Sequence, residues 1–202
     1  MATLRHQMAN ILSVSHAALR LSMMKLFYPR NLSFAGLERI SPNVVIDTDR
    51  KSKLRFGNRV SIHSRGRFVS IAGGDLSIGD HTRFNVGCIV VCRSKITIGK
   101  NVSFGPNVMV YDHNHIMTSA EGAKRGDFGL GNIVVGDNSW IGAGVIILQG
   151  SRIGKNCVIA AGSVVTGDVP DGTILIQKRT NTLKDTGMQY DSPKNIDYYS
   201  SL

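Results

Sequence analysis

The sequence predicts a left-handed parallel β-helix, and three observations predict it. Between residues 135 and 170 an aliphatic residue returns at every sixth position: Val135, Ile141, Ile147, Ile153, Ile159 and Val165. Glycine often follows directly, at Gly136, Gly142 and Gly154, with small or turn-forming residues between. The chain is also rich in glycine (22 residues) and thin in aromatics (6%), which suits many tight turns more than a sandwich or bundle. Six residues advance an α-helix by about 600°, off any single face. A short strand plus a tight turn fits the period: each hexad makes one side of a triangular coil and points its aliphatic residue inward. A Gly-rich antiparallel sheet would instead show period-two alternation and hairpin turns.

The remaining elements follow in chain order. Residues 4–28 carry Met8, Ile11, Leu12, Leu19, Met23 and Leu26 at helical spacings, which predicts an amphipathic helix. It suits a cap on the open end of the β-helix, contact with another subunit, or a membrane surface, given Arg5, Arg20, Lys25 and Arg30. Phe56, Ile62 and Phe68 suggest early coils. Ile78, Phe84, Val90 and Ile96 keep the period, and Ile98, Phe104 and Val110 resume it after a two-residue slip. Residues 112–132 hold charge and glycine but no aliphatic ladder, so a loop is extruded there. The organisation expected is a helical cap segment over 1–35, a β-helix domain over 36–176 and a polar, loosely ordered tail over 177–202.

The formal charge is +10, yet the basic residues are scattered and aromatic platforms are few, which argues against nucleic acid. A phosphorylated cofactor, a phosphate-linked glycan carrier or an anionic membrane surface fits such scatter better. Cys88, Cys92 and Cys157 are odd in number and have no zinc spacing, so a reducing cytoplasm is expected and a disulfide framework is not. No apolar run approaches 18 residues, and the expectation is a soluble protein, at most peripheral at the inner face of a membrane.

Several blocks carry a resemblance: Ile78-Gly79 with Phe84-Asn85, Ile98-Gly99-Lys100-Asn101-Val102, Phe104-Gly105-Pro106-Asn107-Val108, Asn138-Ser139-Trp140-Ile141-Gly142, Gly162-Ser163-Val164-Val165-Thr166 and Asp168-Val169-Pro170. In this order and spacing the chain resembles the hexapeptide-repeat acyltransferases, nearest to the galactoside, maltose and nodulation-factor O-acetyltransferase branch. The resemblance implies an acetyl-CoA-dependent O-acetyltransferase acting on a sugar or glycan, with surface polysaccharide as a setting. It implies a homotrimer with sites between subunits, the loop histidine of one chain facing the Trp-bearing coil of another.

The resemblance also selects residues. The loop opens Tyr111-Asp112-His113-Asn114-His115, and the family's histidine, five residues beyond Val110, is His115. A sugar hydroxyl attacking a thioester needs a base to take its proton, and imidazole suits that task at neutral pH. His113 is the internal competitor. Asn85 matches the residue that orients the acceptor hydroxyl, for which an amide both donates and accepts. Cys92 stands where relatives place an acidic acceptor contact. Trp140 matches a residue lining the donor and acceptor channel, and Ala143 and Ala161 match positions where the pantetheine arm passes the backbone. Thr166 and Gly167 fall where relatives use Thr-Lys, so Lys178 or Arg179 is expected to meet the 3′-phosphate. No metal is required.

Three other readings compete. A zinc carbonic anhydrase on the same fold would need three of His63, His81, His113 and His115 on one metal. A non-catalytic scaffold would use the β-helix to organise a polysaccharide-assembly complex through the amino-terminal helix. N-acetylation of an amino sugar would use the same base and donor, and only the acceptor that turns over separates it.

Overall fold

The computed structural model describes residues 4–118 and 122–178. The chain winds into a parallel β-helix with three faces. The first face orders strands Leu32–Ser33, Lys53–Phe56, Asp75–Ile78, Lys95–Ile98, Ile133–Val135, Arg152–Ile153 and Asp168–Val169. The second runs from Arg39–Ile40 through Ser61–Ile62, Arg83–Phe84, Ser103–Phe104, Trp140–Ile141 and Val158–Ile159 to Ile174–Leu175. The third holds Val45–Thr48, Arg67–Ser70, Ile89–Cys92, Met109–Tyr111, Ile146–Ile147 and Val164–Val165.

Each hexad of the predicted ladder is one face. Val135 stacks on Ile153, Ile141 on Ile159 and Ile147 on Val165, all inward and buried. The upstream slip has a geometric cause. Strands on the first and third faces there are four residues long and present two inward positions, as with Leu76 and Ile78, or Ile96 and Ile98. Coils therefore shorten along the axis: 22 residues separate Leu54 from Leu76, 20 separate Leu76 from Ile96, 18 separate Val135 from Ile153, and 16 separate Ile153 from Val169. The wide coils hold the bulkiest filling. Phe84 stacks on Phe104 at 4.4 Å and meets Phe68 edge-on at 4.7 Å.

Close approach and positive φ fall to different residues. Gly136, Gly142 and Gly154, which directly follow ladder residues, lie so close to the next coil that a side chain does not fit; a Cβ on Gly136 would sit 2.5 Å from the Gly154 carbonyl carbon. Positive φ falls instead to the corners, where Asn101, Asn138 and Asn156 adopt 56°, 61° and 55°. Their amides form a ladder of their own, Asn101 to Asn138 and Asn138 to Asn156 at 3.2 Å each.

A helix, α1 (Leu4–Phe27), packs on the first coil. The residues that meet the core are Ala17 and Leu21, both buried. Ile11, Leu12, Leu19, Met23 and Leu26, predicted as the apolar stripe, are exposed, so the packed face differs from the one the spacing suggested. Arg20 crosses to the coil and donates to the Val44 carbonyl at 2.6 Å. No helix among the described residues is long and apolar enough to cross a membrane. The predicted tail lies outside the described residues apart from Gln177 and Lys178.

Candidate active site

The predicted site residues fall on two edges of the prism. The corner between the second and third faces carries Asn85, Ala143 and Ala161. Asn85 follows strand Arg83–Phe84 directly, is exposed, and does not adopt a positive φ, so no backbone requirement accounts for an asparagine there. Its N–H donates to the Phe104 carbonyl, and its side-chain oxygen accepts from the Val86 N–H at 2.8 Å. The side-chain NH2 has no protein partner among the described residues.

Trp140 lies on the same flank, on the second face. In that position successive coils place Arg83, Ser103 and Trp140 in register. The indole is 58% exposed, an unusual investment for the only tryptophan in the chain. His63, Arg83, Asn85, Ser103, Gly105 and Trp140 line one open groove. Beside it Ala143 and Ala161 are stacked, the Gly162 N–H donating to the Ala143 carbonyl at 2.7 Å. Gly105 and Gly142 make this wall flat: a Cβ on either would lie 2.6 Å from the amide nitrogen of Ala143 or Ala161 respectively. Both alanines are exposed, and their N–H groups have no protein acceptor among the described residues, which leaves donors for an extended ligand.

The other edge, between the third and first faces, extrudes residues 112–132 where expected. The excursion is ordered, however, as an antiparallel hairpin of His113–Thr118 against Gly122–Leu130, with a bulge between His115 and Met117. His113 and His115 project to one side of it. Phe128 lies opposite His115, ring centroids 4.7 Å apart, and its edge meets His113 at 5.4 Å. The Arg93 guanidinium covers the Phe128 ring at 3.9 Å. His115 is exposed; His113 is mostly enclosed, its side chain 13% accessible.

Below the hairpin sits a residue that sequence reasoning passed over. The Asp112 carboxylate is fully buried and accepts from the N–H groups of Arg93 and Ser94 at 2.8–3.1 Å and from His113 Nδ1 at 3.1 Å. A carboxylate so placed acts as acceptor, so the proton lies on Nδ1 and the His113 Nε2 carries the lone pair. The signal was available: Asp112 follows Val110 by two, the inward position that Cys92 fills one coil earlier. A carboxylate where the ladder demands a core residue marks a buried anchor.

Cys92, where relatives place an acidic acceptor contact, lies inside the coil. It is buried among the core residues, and burial, with Asp112 adjacent, pushes its thiol up to about 12. It faces the interior and offers no acceptor contact. Cys88 is likewise pushed up, to about 11, by burial.

Thr166 and Gly167 form the exposed two-residue corner between the third and first faces, on the hairpin's edge and away from Ala143 and Ala161. Lys178 is exposed at the end of the described chain, and Arg179 lies outside it. One chain thus unites Asn85, Trp140, Ala143 and Ala161, and separately His113, His115 and Thr166. The third face lies between the two sets. Among the described residues, no group of three His, Cys, Asp or Glu side chains is placed to hold a metal ion.

Known proteins share this architecture. Residues 132–167 match the family model for the bacterial transferase hexapeptide, six repeats. Over that stretch the chain carries the repeat that the family model describes. It is 38% identical over 136 residues to galactoside O-acetyltransferase of Lactococcus lactis, covering 64% of each chain. It is 41% identical over 101 residues to nodulation protein L of Rhizobium meliloti, covering 50% of this chain and 54% of that one. The match therefore spans between about half and two thirds of these relatives' length. In fold it is similar to AntD, an N-acyltransferase from Bacillus cereus solved with coenzyme A and dTDP-4-amino-4,6-dideoxyglucose; the TM-score is 0.65 at 16% identity, covering 82% of this chain and 87% of that one.

Proposed function

We propose that this protein transfers an acetyl group from acetyl-CoA to a sugar hydroxyl, using a histidine of the hairpin as general base. The observation that carries the reading is the flat Ala143–Ala161 wall, with two unpartnered N–H groups, lying beside Trp140 and Asn85. An extended pantetheine arm takes such backbone donors, and Asn85 is placed to orient a hydroxyl next to the thioester. The names of the similar O-acetyltransferases support the same chemistry.

The step needs no covalent enzyme intermediate. As the sugar oxygen attacks the thioester carbonyl, imidazole Nε2 takes the hydroxyl proton. Collapse of the tetrahedral species expels the CoA sulfur, which takes that proton from the imidazolium, leaving an acetyl ester and free CoA thiol. We assign the base to His115, exposed on the hairpin and selected by the family resemblance. One observation favours a second reading, His113, whose Nδ1 is fixed by Asp112. Lys178 and Thr166–Gly167 are proposed to meet the phosphate and adenine end of the donor.

The separation of the two sets within one chain supports a site completed between copies. In a homotrimer the hairpin edge of one subunit faces the Asn85–Trp140 edge of the next. Three buried, unpaired cysteines support a cytoplasmic setting, and an exposed apolar helix in a segment without acidic residues before Glu38 supports peripheral contact with a membrane. Glycan or surface-polysaccharide modification is the pathway such a location suits.

The test is thiol release from acetyl-CoA with a panel of sugars and nucleotide sugars. His115→Ala is expected to lower acceptor-dependent release by about 100-fold or more, with His113→Ala affected less. The reverse order moves the base to His113. Turnover only with amino sugars moves the chemistry to N-acetylation. Absence of CoA binding in calorimetry overturns acyl transfer altogether.

A further inference from the structure

The second face continues past Asn85, away from the Trp140 coil, and its character changes there. Its outward positions run in strict register from Trp140 through Ser103, Arg83 and Ser61 to Arg39. Two residues further along each strand, the next column reads Gly142, Gly105, Asn85, His63 and Ser41. With rungs about 4.8 Å apart, Arg83 and Arg39 stand about 10 Å from each other with Ser61 between them. A second depression, lined by Arg39, Ser41, Ser61 and His63 and walled by Ser13 of α1, adjoins the groove at His63. Neither column contains a carboxylate.

The neighbouring corner changes in the same direction. Where later coils place Asn101, Asn138 and Asn156 at positive φ, the earlier ones place His81 and Arg59, at 60° and 56°. Arginine gains nothing from the left-handed region that asparagine does not, so the position favours charge over backbone comfort. Asp80, next to His81, is engaged by the Asn58 N–H and by Lys100. Arg83 has no acidic partner among the described residues.

We infer that the acceptor is anionic: a sugar bearing a phosphate or diphosphate remote from the acylated hydroxyl, held along this lane by Arg83, Arg39 and His63. The inference rests on the acyl-transfer reading for its direction. With the thioester beside Trp140 and the reacting hydroxyl at Asn85, the rest of the acceptor extends over His63 and Arg39. Arginine forks and serine hydroxyls on one strip match phosphate oxygens, and an uncharged glycoside makes no use of them. Two kinds of acceptor share this chemistry, a sugar on a nucleoside diphosphate and a sugar on a prenyl diphosphate.

The full chain is titrated calorimetrically with CoA, and then, with CoA saturating, with inorganic pyrophosphate, UDP and geranyl diphosphate. Pyrophosphate is expected to bind without displacing CoA. Arg83→Gln and Arg39→Gln are each expected to weaken it about tenfold, whereas Arg67→Gln, an exposed arginine of the third face, leaves it unchanged. CoA affinity retained in each variant shows that the site is intact. Tighter binding of UDP assigns a nucleotide-borne acceptor; tighter binding of geranyl diphosphate assigns a prenyl-borne one. Absence of binding by all three anions, or binding indifferent to Arg83→Gln, overturns the inference. If CoA itself fails to bind, acyl transfer falls, and the same anion titrations, run without CoA, still decide whether the lane takes phosphate.

Discussion

The fully buried Asp112 carboxylate accepts the Nδ1–H of His113 at 3.1 Å while also receiving the N–H groups of Arg93 and Ser94 one coil below. One side chain thereby fixes the hairpin's root, a histidine tautomer and the corner beneath. Asp112→Asn keeps the shape but turns an NH2 against one of those donors. It is expected to lower stability by roughly 2–3 kcal/mol in urea unfolding, and to release the His113 tautomer in nitrogen NMR. Full stability in this variant would show that the carboxylate contributes no net anchoring.

Glycines at neighbouring places should respond very differently to one methyl group. A Cβ on Gly136 meets three backbone atoms of the next coil at 2.5–2.6 Å, whereas a Cβ on Gly144 meets nothing within 4 Å and suffers only its φ of +64°. Gly136→Ala is expected to cost about 3 kcal/mol or more, and Gly144→Ala about 1 kcal/mol, by thermal or urea unfolding.

Burial pushes the Cys88 and Cys92 thiols up to about 11 and about 12. Folded, they keep protons that the unfolded chain surrenders above its ordinary thiol value of 9.0. Their contribution is therefore complete below pH 9 and declines above it, by about 1.4 kcal/mol per pH unit for each thiol, until the folded groups also ionise. Urea midpoints at pH 8, 9 and 10 measure this. At neutral pH neither thiol should react with a disulfide reagent until denaturant is added.

On α1, Leu21 is fully buried and Leu19 is 65% exposed. Leu21→Ala is expected to destabilise by about 2–4 kcal/mol and Leu19→Ala by less than about 0.5 kcal/mol. Equal effects in dilute solution would mean that the outer stripe is covered by another copy of the chain.

The hexad ladder was legible because each inward residue answers to its counterpart on the next coil. Where the strands widened, at Leu76–Ile78 and Ile96–Ile98, the same ladder showed as a slip, since a linear reading cannot count two inward positions on one side. The hairpin was invisible as a hairpin. Most of its residues whose burial is described are exposed, so little burial constraint writes a pattern into the hairpin. Asn85 and Trp140 come from the resemblance, and they line one groove. Asp112 and Phe128 were missed because each works through a partner far away in sequence: Arg93 in both cases, and the hairpin's opposite strand for Phe128.

The shortening of the coils from 22 to 20, 18 and 16 residues has a consequence for assembly of the fold itself. An array of identical coils tolerates a shift by one whole turn, since every inward residue still lands inward. Here a shifted coil meets a neighbour of another perimeter, and Phe84, Phe104 or Asp112 falls where a smaller or apolar residue is needed. The taper works as a vernier: each coil has one seat, and mispaired or exchanged coils between chains are disfavoured before any contact outside the solenoid is made.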